Sequence, residues 1–281
     1  MSINAVRTRP SRPSPRRRRV LTGALVVVAA FGGVACGDDD EDAAPSEPKS
    51  DFAAYCDAEY KVETYFAGDP EVDFETATPE QIQAAVATYL QGAKPLIDAA
   101  VPLAPAEIKE PLDVQVRAFN QALGGADPEV VFETPEVNAA EAKVHGFDLK
   151  NCGWGQVDVT ATDYSFAGIP DEVKAGRTSI DLTNDGKEAH EVQLAVKNAG
   201  VTQTFDEILA LPEEEALTMV TPVGGAFASP GDKEYAIVDL APGSYVAVCF
   251  VPQGTVDQTS TPAEDAPPHF VLGMKKEFTV A

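Results

Sequence analysis

Residues 242–249 run Pro-Gly-Ser-Tyr-Val-Ala-Val-Cys, a turn followed by an apolar stretch that ends in a cysteine. Proline next to glycine is typical of tight turns. Tyrosine and valine favour extended chain, because their side chains pack well on a pleated surface. The stretch therefore predicts a strand, Ser244–Val251, that starts at a turn and carries Cys249 close to its end.

Similar short runs lie on both sides of this strand, and Asn184-Asp185-Gly186 is a second stretch with turn chemistry. Strands of this length and spacing predict a β-sandwich or barrel. One predicted helix, Thr204–Leu211, interrupts the series. The other predicted strands are Val157–Ala161, Thr178–Asn184, His190–Val196, Glu234–Leu240 and Glu277–Ala281.

The chain ahead of these strands, residues 51–152, carries a helical pattern instead. The pattern predicts four helices near 51–66, 79–103, 106–123 and 135–148, and we expect Pro95 and Pro111 to kink or shorten the middle two. Apolar residues recur at the helical period in the second segment. They are Ile82, Val86, Tyr89, Leu90, Ala93, Ile97 and Val101.

Start and stop signals support these helices. Thr78-Pro79-Glu80-Gln81 predicts a helix start, with Thr78 as the N-cap residue and Gln81 completing a capping box. Thr134-Pro135-Glu136 repeats this pattern for the last helix. His145-Gly146 predicts the end of that helix, a basic residue in the last turn followed by a C-cap glycine.

Residues 1–36 predict an export signal rather than part of a fold. Seven arginines precede an apolar run that is too short, and too rich in Gly and Ala, for a membrane span. The run ends in Gly33-Val34-Ala35-Cys36, which resembles a bacterial lipobox. The resemblance implies a lipid on Cys36 and a protein anchored to the extracytoplasmic face of the cell membrane. An uncleaved N-terminal anchor is the alternative, and both twin-arginine and general secretory export remain open.

Charge excludes some classes of partner. Removal of the seven arginines takes the net charge from −24 to −31, and so acidic a surface argues against nucleic acid and anionic lipid headgroups as partners. Residues 37–50 are rich in Asp, Glu, Pro and Ser and predict a flexible acidic tether. The predicted organisation is a signal peptide (1–36), this tether, a helical domain (51–152) and a β-rich domain (156–281).

The chain has four cysteines. If Cys36 carries lipid, an odd number remains in an oxidising compartment. Cys56 lies in the first predicted helix and Cys152 just past the last, so a disulfide between them would clasp the helical domain. Cys249 is then the unpaired thiol, which is either buried as a small apolar residue or has a function.

The β-rich domain resembles the cupredoxin family of type-1 blue copper proteins. In that family one histidine comes from an early strand, and a cysteine, a second histidine and a methionine come from the loop before the last strand. His190, Cys249, His269 and Met274 occur here in that order and at those places. The resemblance implies a Greek-key β-sandwich with one copper ion bound by these four residues, although each residue taken singly also has a structural explanation.

The spacing departs from the family, because 19 residues separate Cys249 from His269. We expect Gln253–Asp265 to loop out as a surface insertion while the flanking residues stay near the metal. We also expect this insertion to weaken the preorganisation of the site and to open it to solvent or a partner.

The sequence therefore predicts an α+β chain, a small helical bundle followed by a cupredoxin-like sandwich. The chain is expected to be tethered to the membrane and to exchange single electrons with a redox partner protein outside the cytoplasm. Copper binding or delivery without redox turnover, and a metal-free module for protein interaction, are the alternatives. We expect no enzyme activity, since no nucleophile elbow, phosphate loop or zinc-protease motif is present.

Overall fold

The structure is a computed structural model that describes residues 49, 51–68, 70–73, 76–257 and 260–281, with only the backbone of residue 129. These residues form two compact units, 49–154 and 155–281. The predicted signal peptide, Cys36 and all of the predicted tether except Lys49 lie outside the described residues. No helix in the described ranges combines the length and the apolar character needed to cross a membrane.

The first unit is helical, as predicted. Thr78 accepts a hydrogen bond from the Gln81 N–H at 3.3 Å and the Thr78 N–H donates to Gln81 Oε1 at 2.8 Å, so the predicted capping box is confirmed. Thr134 caps the last helix through the Val137 N–H. The helices are α1 (Ala53–Phe66), α2 (Pro79–Ala100), α3 (Lys109–Leu123), α4 (Pro128–Phe132) and α5 (Pro135–Asn151), with a 3₁₀ turn at Val101–Leu103.

The predicted end of the last helix at His145-Gly146 is wrong. Helix α5 continues through Gly146 to Asn151, and Cys152 is its C-cap residue. Val144 and Asp148 are buried on either side of the glycine, and a Cβ at Gly146 would meet nothing within 4 Å. Packing beyond the glycine keeps the chain helical, because the weak helix propensity of one glycine costs only about 1 kcal/mol.

The structure shows where the two prolines lie in their helices, while the predicted kinks stay a prediction. Pro95 lies inside α2, which nevertheless runs unbroken to Ala100. Pro111 lies in the first turn of α3, where its missing N–H would have no partner within the helix. Neither proline therefore ends a helix.

The predicted disulfide between Cys56 and Cys152 is confirmed. It joins α1 to the C-terminal end of α5, with the two Cα atoms 5.3 Å apart. Lys49 contacts the residue next to this disulfide, because its N–H donates to the Asn151 carbonyl. Residues 96 positions apart in sequence are thus covalently joined, and Cys249 is a free, buried thiol.

The second unit is a β-sandwich of two mixed sheets, in the order β2-β1-β4-β7 and β3-β9-β8-β5-β6. The prediction of a helical bundle followed by a β-sandwich is therefore confirmed. Side chains of both sheets, such as Val157, Ile180, Val192 and Phe278, line one small apolar cavity between them. The strands are β1 (Gly155–Thr162), β2 (Ser165–Ala167), β3 (Glu172–Val173), β4 (Gly176–Asn184), β5 (His190–Lys197), β6 (Val220–Ala228), β7 (Lys233–Leu240), β8 (Gly243–Val248) and β9 (Lys275–Val280).

Strands β2, β3 and β6 were not predicted. β6 contains Pro222, Gly224 and Gly225, residues that are depleted in strands. It forms because it pairs with β5, and Gly225 fits there since a Cβ would lie 2.1 Å from the Val192 carbonyl oxygen. The predicted helical interruption is confirmed as α6 (Phe205–Leu209), capped by Thr204, and is followed by a short α7 (Glu213–Ala216).

Candidate metal centre

The four candidate ligands come from one end of one sheet. β8 lies between β5 and β9 and is antiparallel to both, with Val248 opposite Gln193 on one side and opposite Lys275 on the other. The start of β5, the end of β8 and the start of β9 therefore meet. His190 is the first residue of β5, Cys249 directly follows β8, and Met274 directly precedes β9.

The fourth residue, His269, is brought to this end by the loop that follows Cys249. The Phe270 N–H donates to the Cys249 carbonyl at 2.9 Å, and the Cys249 N–H donates to the Met274 carbonyl at 3.1 Å. Met274 in turn donates its N–H to the His269 carbonyl, and its side chain is fully buried. Backbone hydrogen bonds thus hold Cys249, His269 and Met274 in one compact loop.

The insertion closes at its base, as expected. Pro252 and Pro268 form an isolated antiparallel bridge, and the Gln253 N–H donates to the Pro267 carbonyl at 3.0 Å. The 19 residues between Cys249 and His269 therefore do not separate the two side chains. Loop closure costs grow only logarithmically with length, so a long loop is compatible with a fixed base.

The expectation that the insertion opens the site to solvent is wrong. His190, Cys249 and His269 are each 0% exposed. The reason is that the start of the insertion is tied to the β4–β5 loop. The Ala189 N–H donates to the Thr255 carbonyl at 2.7 Å, and the Gly254 N–H donates to the Glu188 carboxylate at 2.6 Å.

Three potential donor atoms face one another in this buried space. His190 Nδ1 lies 3.1 Å from His269 Nδ1, and Cys249 Sγ lies 3.3 Å from the same His269 atom. All three potential donors lie within 4.8 Å of one another. Nitrogen and sulfur donors on one small divalent ion stand roughly 3.3–3.7 Å apart, given the bond lengths typical of such ions. The two measured distances, 3.1 and 3.3 Å, lie just below and at the lower edge of this range and the third stays within 4.8 Å, so the residues present fit a small metal ion.

The outer nitrogen of each imidazole contacts a carboxylate. His190 Nε2 lies 2.9 Å from Asp163 Oδ1, and His269 Nε2 lies 3.0 Å from Glu188 Oε2. A carboxylate oxygen can only accept here, so each Nε2 carries the hydrogen and each Nδ1 presents a lone pair. In metal sites a carboxylate that accepts from the outer nitrogen of a histidine orients the ring in this way.

The two carboxylates are themselves held in place. Asp163, in the turn between β1 and β2, accepts from the Lys187 and Glu188 N–H groups at 3.0–3.3 Å. Glu188 accepts from the Tyr164 hydroxyl at 2.9 Å as well as from the Gly254 N–H. The Tyr164 ring also packs against the His269 ring, with centroids 4.7 Å apart.

Sequence reasoning missed Asp163 and Glu188. Glu188 had one local signal, its position two residues before a candidate histidine, but many acidic residues of this chain have similar neighbours. Asp163 had none, because it reaches His190 through the parallel pairing of β1 with β4, which places Ala161 opposite Asn184. A pairing between distant strands is not visible in local sequence.

Glu191, whose role the sequence left undecided, contacts the sulfur side of the site. Its N–H donates to Cys249 Sγ at 3.4 Å, and its Oε1 accepts from the Phe250 N–H at 2.9 Å. Its side chain is buried. A backbone N–H directed at sulfur stabilises negative charge on the thiolate.

Burial dominates the proton affinities of the three donors. It lowers the pKa of His190 and of His269, against the opposing effect of their carboxylates. Burial, and then the charge of Glu191, raise the pKa of the Cys249 thiol. For Asp163 and Glu188, partial burial alone would raise the pKa, but hydrogen bonds from backbone N–H groups and from the histidines outweigh it and lower the pKa of each. Near neutral pH the metal-free site therefore holds a thiol, two neutral imidazoles and two carboxylates.

Two bare Nδ1 lone pairs facing each other at 3.1 Å are unfavourable in a buried site unless a cation lies between them. The thiol hydrogen can satisfy only one of them. A bound metal ion satisfies both and replaces the thiol proton. The cluster of His190, Cys249 and His269 is thus a candidate metal site, and the ligand role of each residue, and of Met274, stays a prediction.

Comparisons with known proteins give a partial picture. No protein-family model matches the chain, and no curated protein matches it. Solved structures that resemble it include auracyanin from Roseiflexus castenholzii, at 18% identity over 45% of this chain and 96% of that chain, with a TM-score of 0.27. Auracyanin A from Chloroflexus aurantiacus, described as a blue copper protein, is 16% identical over 45% of this chain and 98% of that chain, with a TM-score of 0.27. Rusticyanin from Thiobacillus ferrooxidans is 17% identical over 45% of this chain and 77% of that chain, with a TM-score of 0.27. Likenesses of this size carry no conclusion about the function of this chain.

Proposed function

We propose that this chain is a copper protein that transfers single electrons outside the cytoplasm, tethered to the membrane by a lipid on Cys36. The observation that carries the proposal is the buried convergence of one thiol and two Nδ1 lone pairs. The charge of the chain favours a basic redox partner protein, and the proposal includes no conversion of an organic substrate.

The chemistry of the donors favours copper over other common ions. One thiolate and two imidazoles, with the Met274 thioether as a weak fourth ligand, form a soft set that suits copper and disfavours magnesium and calcium. Copper bound there would accept and return one electron. The protein's part is to exclude water, which the burial of all three side chains supports, and to fix the donors, which the hydrogen-bonded loop supports.

The test is to add Cu(II) to the purified protein and to record its visible spectrum. We expect an intense thiolate-to-copper band at one equivalent, which Cys249→Ala abolishes and His269→Gln weakens strongly. His145→Gln is the matched control, because His145 lies in the helical unit and should leave the band unchanged. A colourless protein, or a band that survives Cys249→Ala, would overturn the proposal.

Voltammetry of the copper-loaded protein distinguishes electron transfer from delivery. Electron transfer requires a reversible one-electron wave. Copper that stays bound but gives no reversible wave would favour delivery without redox turnover.

The membrane anchor needs its own test, because Cys36 lies outside the described residues. We expect the native protein to stay with the membrane fraction, and Cys36→Ala to release it or to leave its signal peptide uncleaved. Mass spectrometry of the N-terminal peptide would show acyl chains on Cys36. An unmodified Cys36 in a membrane-bound protein would favour an uncleaved anchor.

A further inference from the structure

We propose that Asp163 and Glu188 are positioning residues that hold both imidazoles with Nδ1 toward Cys249 and whose charge favours oxidised over reduced copper. The inference rests on the proposed function for its second half only. Orientation of the imidazoles is a property of the protein without metal, and the two halves are therefore tested separately.

The orienting half follows from the hydrogen bonds. Each ring has a single outer nitrogen, and each of these lies about 3 Å from a carboxylate oxygen that is fixed by other donors. The Lys187 N–H holds Asp163, while the Tyr164 hydroxyl and the Gly254 N–H hold Glu188. A rigid acceptor at Nε2 fixes both the ring rotation and the tautomer, so neither Nδ1 needs to lose a proton when a metal binds.

The charge half follows from the position of the carboxylates. Asp163 and Glu188 are only 25% and 18% exposed, so water screens their charge incompletely. Two neutral imidazoles and one thiolate around Cu(II) would carry a single positive charge, which one electron from the redox partner would neutralise. Two negative charges directly behind the imidazoles therefore stabilise the oxidised site more than the reduced one.

Glu188 offers a clean test, because glutamine can keep the hydrogen bonds from His269 and Gly254 while it removes the charge. A glutamine oxygen in place of Oε2 can accept from both the His269 Nε2–H and the Gly254 N–H. The glutamine amide would then donate to the Tyr164 hydroxyl, which at present donates to Oε1. Glu188→Gln thus removes the charge and keeps the position, whereas Glu188→Ala removes both.

Three measurements apply to the wild type, Glu188→Gln, Glu188→Ala and Asp163→Asn. They are the imidazole tautomers of the metal-free protein by nitrogen-proton NMR, the separate affinities for Cu(II) and Cu(I), and the reduction potential. Asp185→Asn is the matched control, since Asp185 is an exposed carboxylate of the same β4–β5 loop.

For the charge half we expect Glu188→Gln to raise the reduction potential and to lower the ratio of Cu(II) to Cu(I) affinity by about tenfold. Its His269 tautomer should stay as in the wild type. Asp163→Asn should shift the potential in the same direction, and Asp185→Asn should leave it nearly unchanged. A potential for Glu188→Gln that matches Asp185→Asn overturns the role of charge.

For the orienting half we expect Glu188→Ala to lose the fixed Nε2–H tautomer of His269 and to bind Cu(II) about 10–100-fold more weakly. If Glu188→Ala keeps both the wild-type His269 tautomer and the wild-type Cu(II) affinity, the orienting role of Glu188 is overturned. A wild type that binds no copper overturns the proposed function and the role of charge together. The tautomers of the metal-free proteins still decide the orienting role in that case.

Discussion

Gly186 lies against the hydrogen bond between His190 and Asp163. A Cβ at this position would stand 2.5 Å from Asp163 Oδ1 and 2.5 Å from His190 Nε2. Its φ lies outside the left-handed region, so the backbone would accept another residue and the small size of glycine is what the position requires. The glycine thus belongs to the site although it bears no functional group.

We expect Gly186→Ala to weaken metal binding by about 10–100-fold, because the methyl group must displace the Asp163 carboxylate or the His190 ring. The same crowding should cost about 1–3 kcal/mol of folding stability. Metal titration and thermal unfolding would measure the two effects. Gly146→Ala is the control, since nothing lies within 4 Å of its Cβ and the helix should gain stability. A metal affinity in Gly186→Ala equal to that of the wild type would contradict the role given to the His190–Asp163 hydrogen bond.

Cys249 makes metal binding depend on pH. Burial, and then the charge of Glu191, raise the pKa of its thiol, so the residue is protonated near neutral pH and must lose that proton to bind a metal. A lower pH supplies more competing protons and should weaken binding. The pKa values of His190 and His269 are lowered, so their protons do not compete near neutral pH.

The apparent affinity for Cu(I) should therefore rise about tenfold for each pH unit between about 7 and 8. Competition with a chromophoric chelator at several pH values measures the slope, and Cys249→Ala should remove it. An affinity that is flat across this range would mean that the thiol is already ionised in the metal-free protein.

At the scale of elements, the two ends of the helical unit are joined covalently. Cys56 belongs to α1 and Cys152 caps α5, and the two lie 96 positions apart in sequence. A cross-link that closes so long a loop restricts the unfolded chain strongly. The β unit uses no such bond, and its ligand loop is closed by the Pro252–Pro268 bridge and by backbone hydrogen bonds instead.

Replacing both Cys56 and Cys152 with serine should lower the free energy of unfolding of the helical unit by about 4 kcal/mol. Denaturant titration followed by the helical circular dichroism signal would measure the change. Reductant should shift the wild type to the midpoint of the variant and leave the variant itself unchanged. Equal midpoints for the oxidised wild type and the variant would contradict the prediction.

At the scale of the whole molecule, every residue of the candidate site belongs to one unit. The donors, the carboxylates and Glu191 all fall between Asp163 and Met274, within residues 155–281. The helical unit carries its own core and disulfide, and it contributes none of these groups.

Residues 155–281 produced alone should therefore fold and bind copper with the same visible band as the full chain, and with an affinity within about threefold, because this compact unit holds every candidate residue. Parallel titrations of the fragment and the full chain would test this. A fragment that folds but binds no copper would assign part of the site to the helical unit.

Local features of the fold could be predicted because their signals lie between neighbouring residues. Thr78 and Gln81 form a capping box across three positions, and turn residues separate most of the strands. β6 was missed because its Pro222 and Gly225 oppose a strand locally, and the pairing with β5 that stabilises it is distant in sequence. The helix end at Gly146 was wrong for a similar reason, since buried residues beyond the glycine extend α5 to Asn151.

By itself the sequence determined the helical and β-rich halves, because hydrophobic period and turn residues carry that information. Its resemblance to a lipobox and to the cupredoxin family supplied the Cys56–Cys152 pairing and the candidate residues His190, Cys249, His269 and Met274 as predictions. Only the tertiary structure decided that the long insertion covers the site, and that Asp163 and Glu188 stand behind the two imidazoles. The register of β1 with β4 and the closure of the 252–268 loop bring these groups together. Such contacts depend on how distant segments pack, which no local pattern encodes.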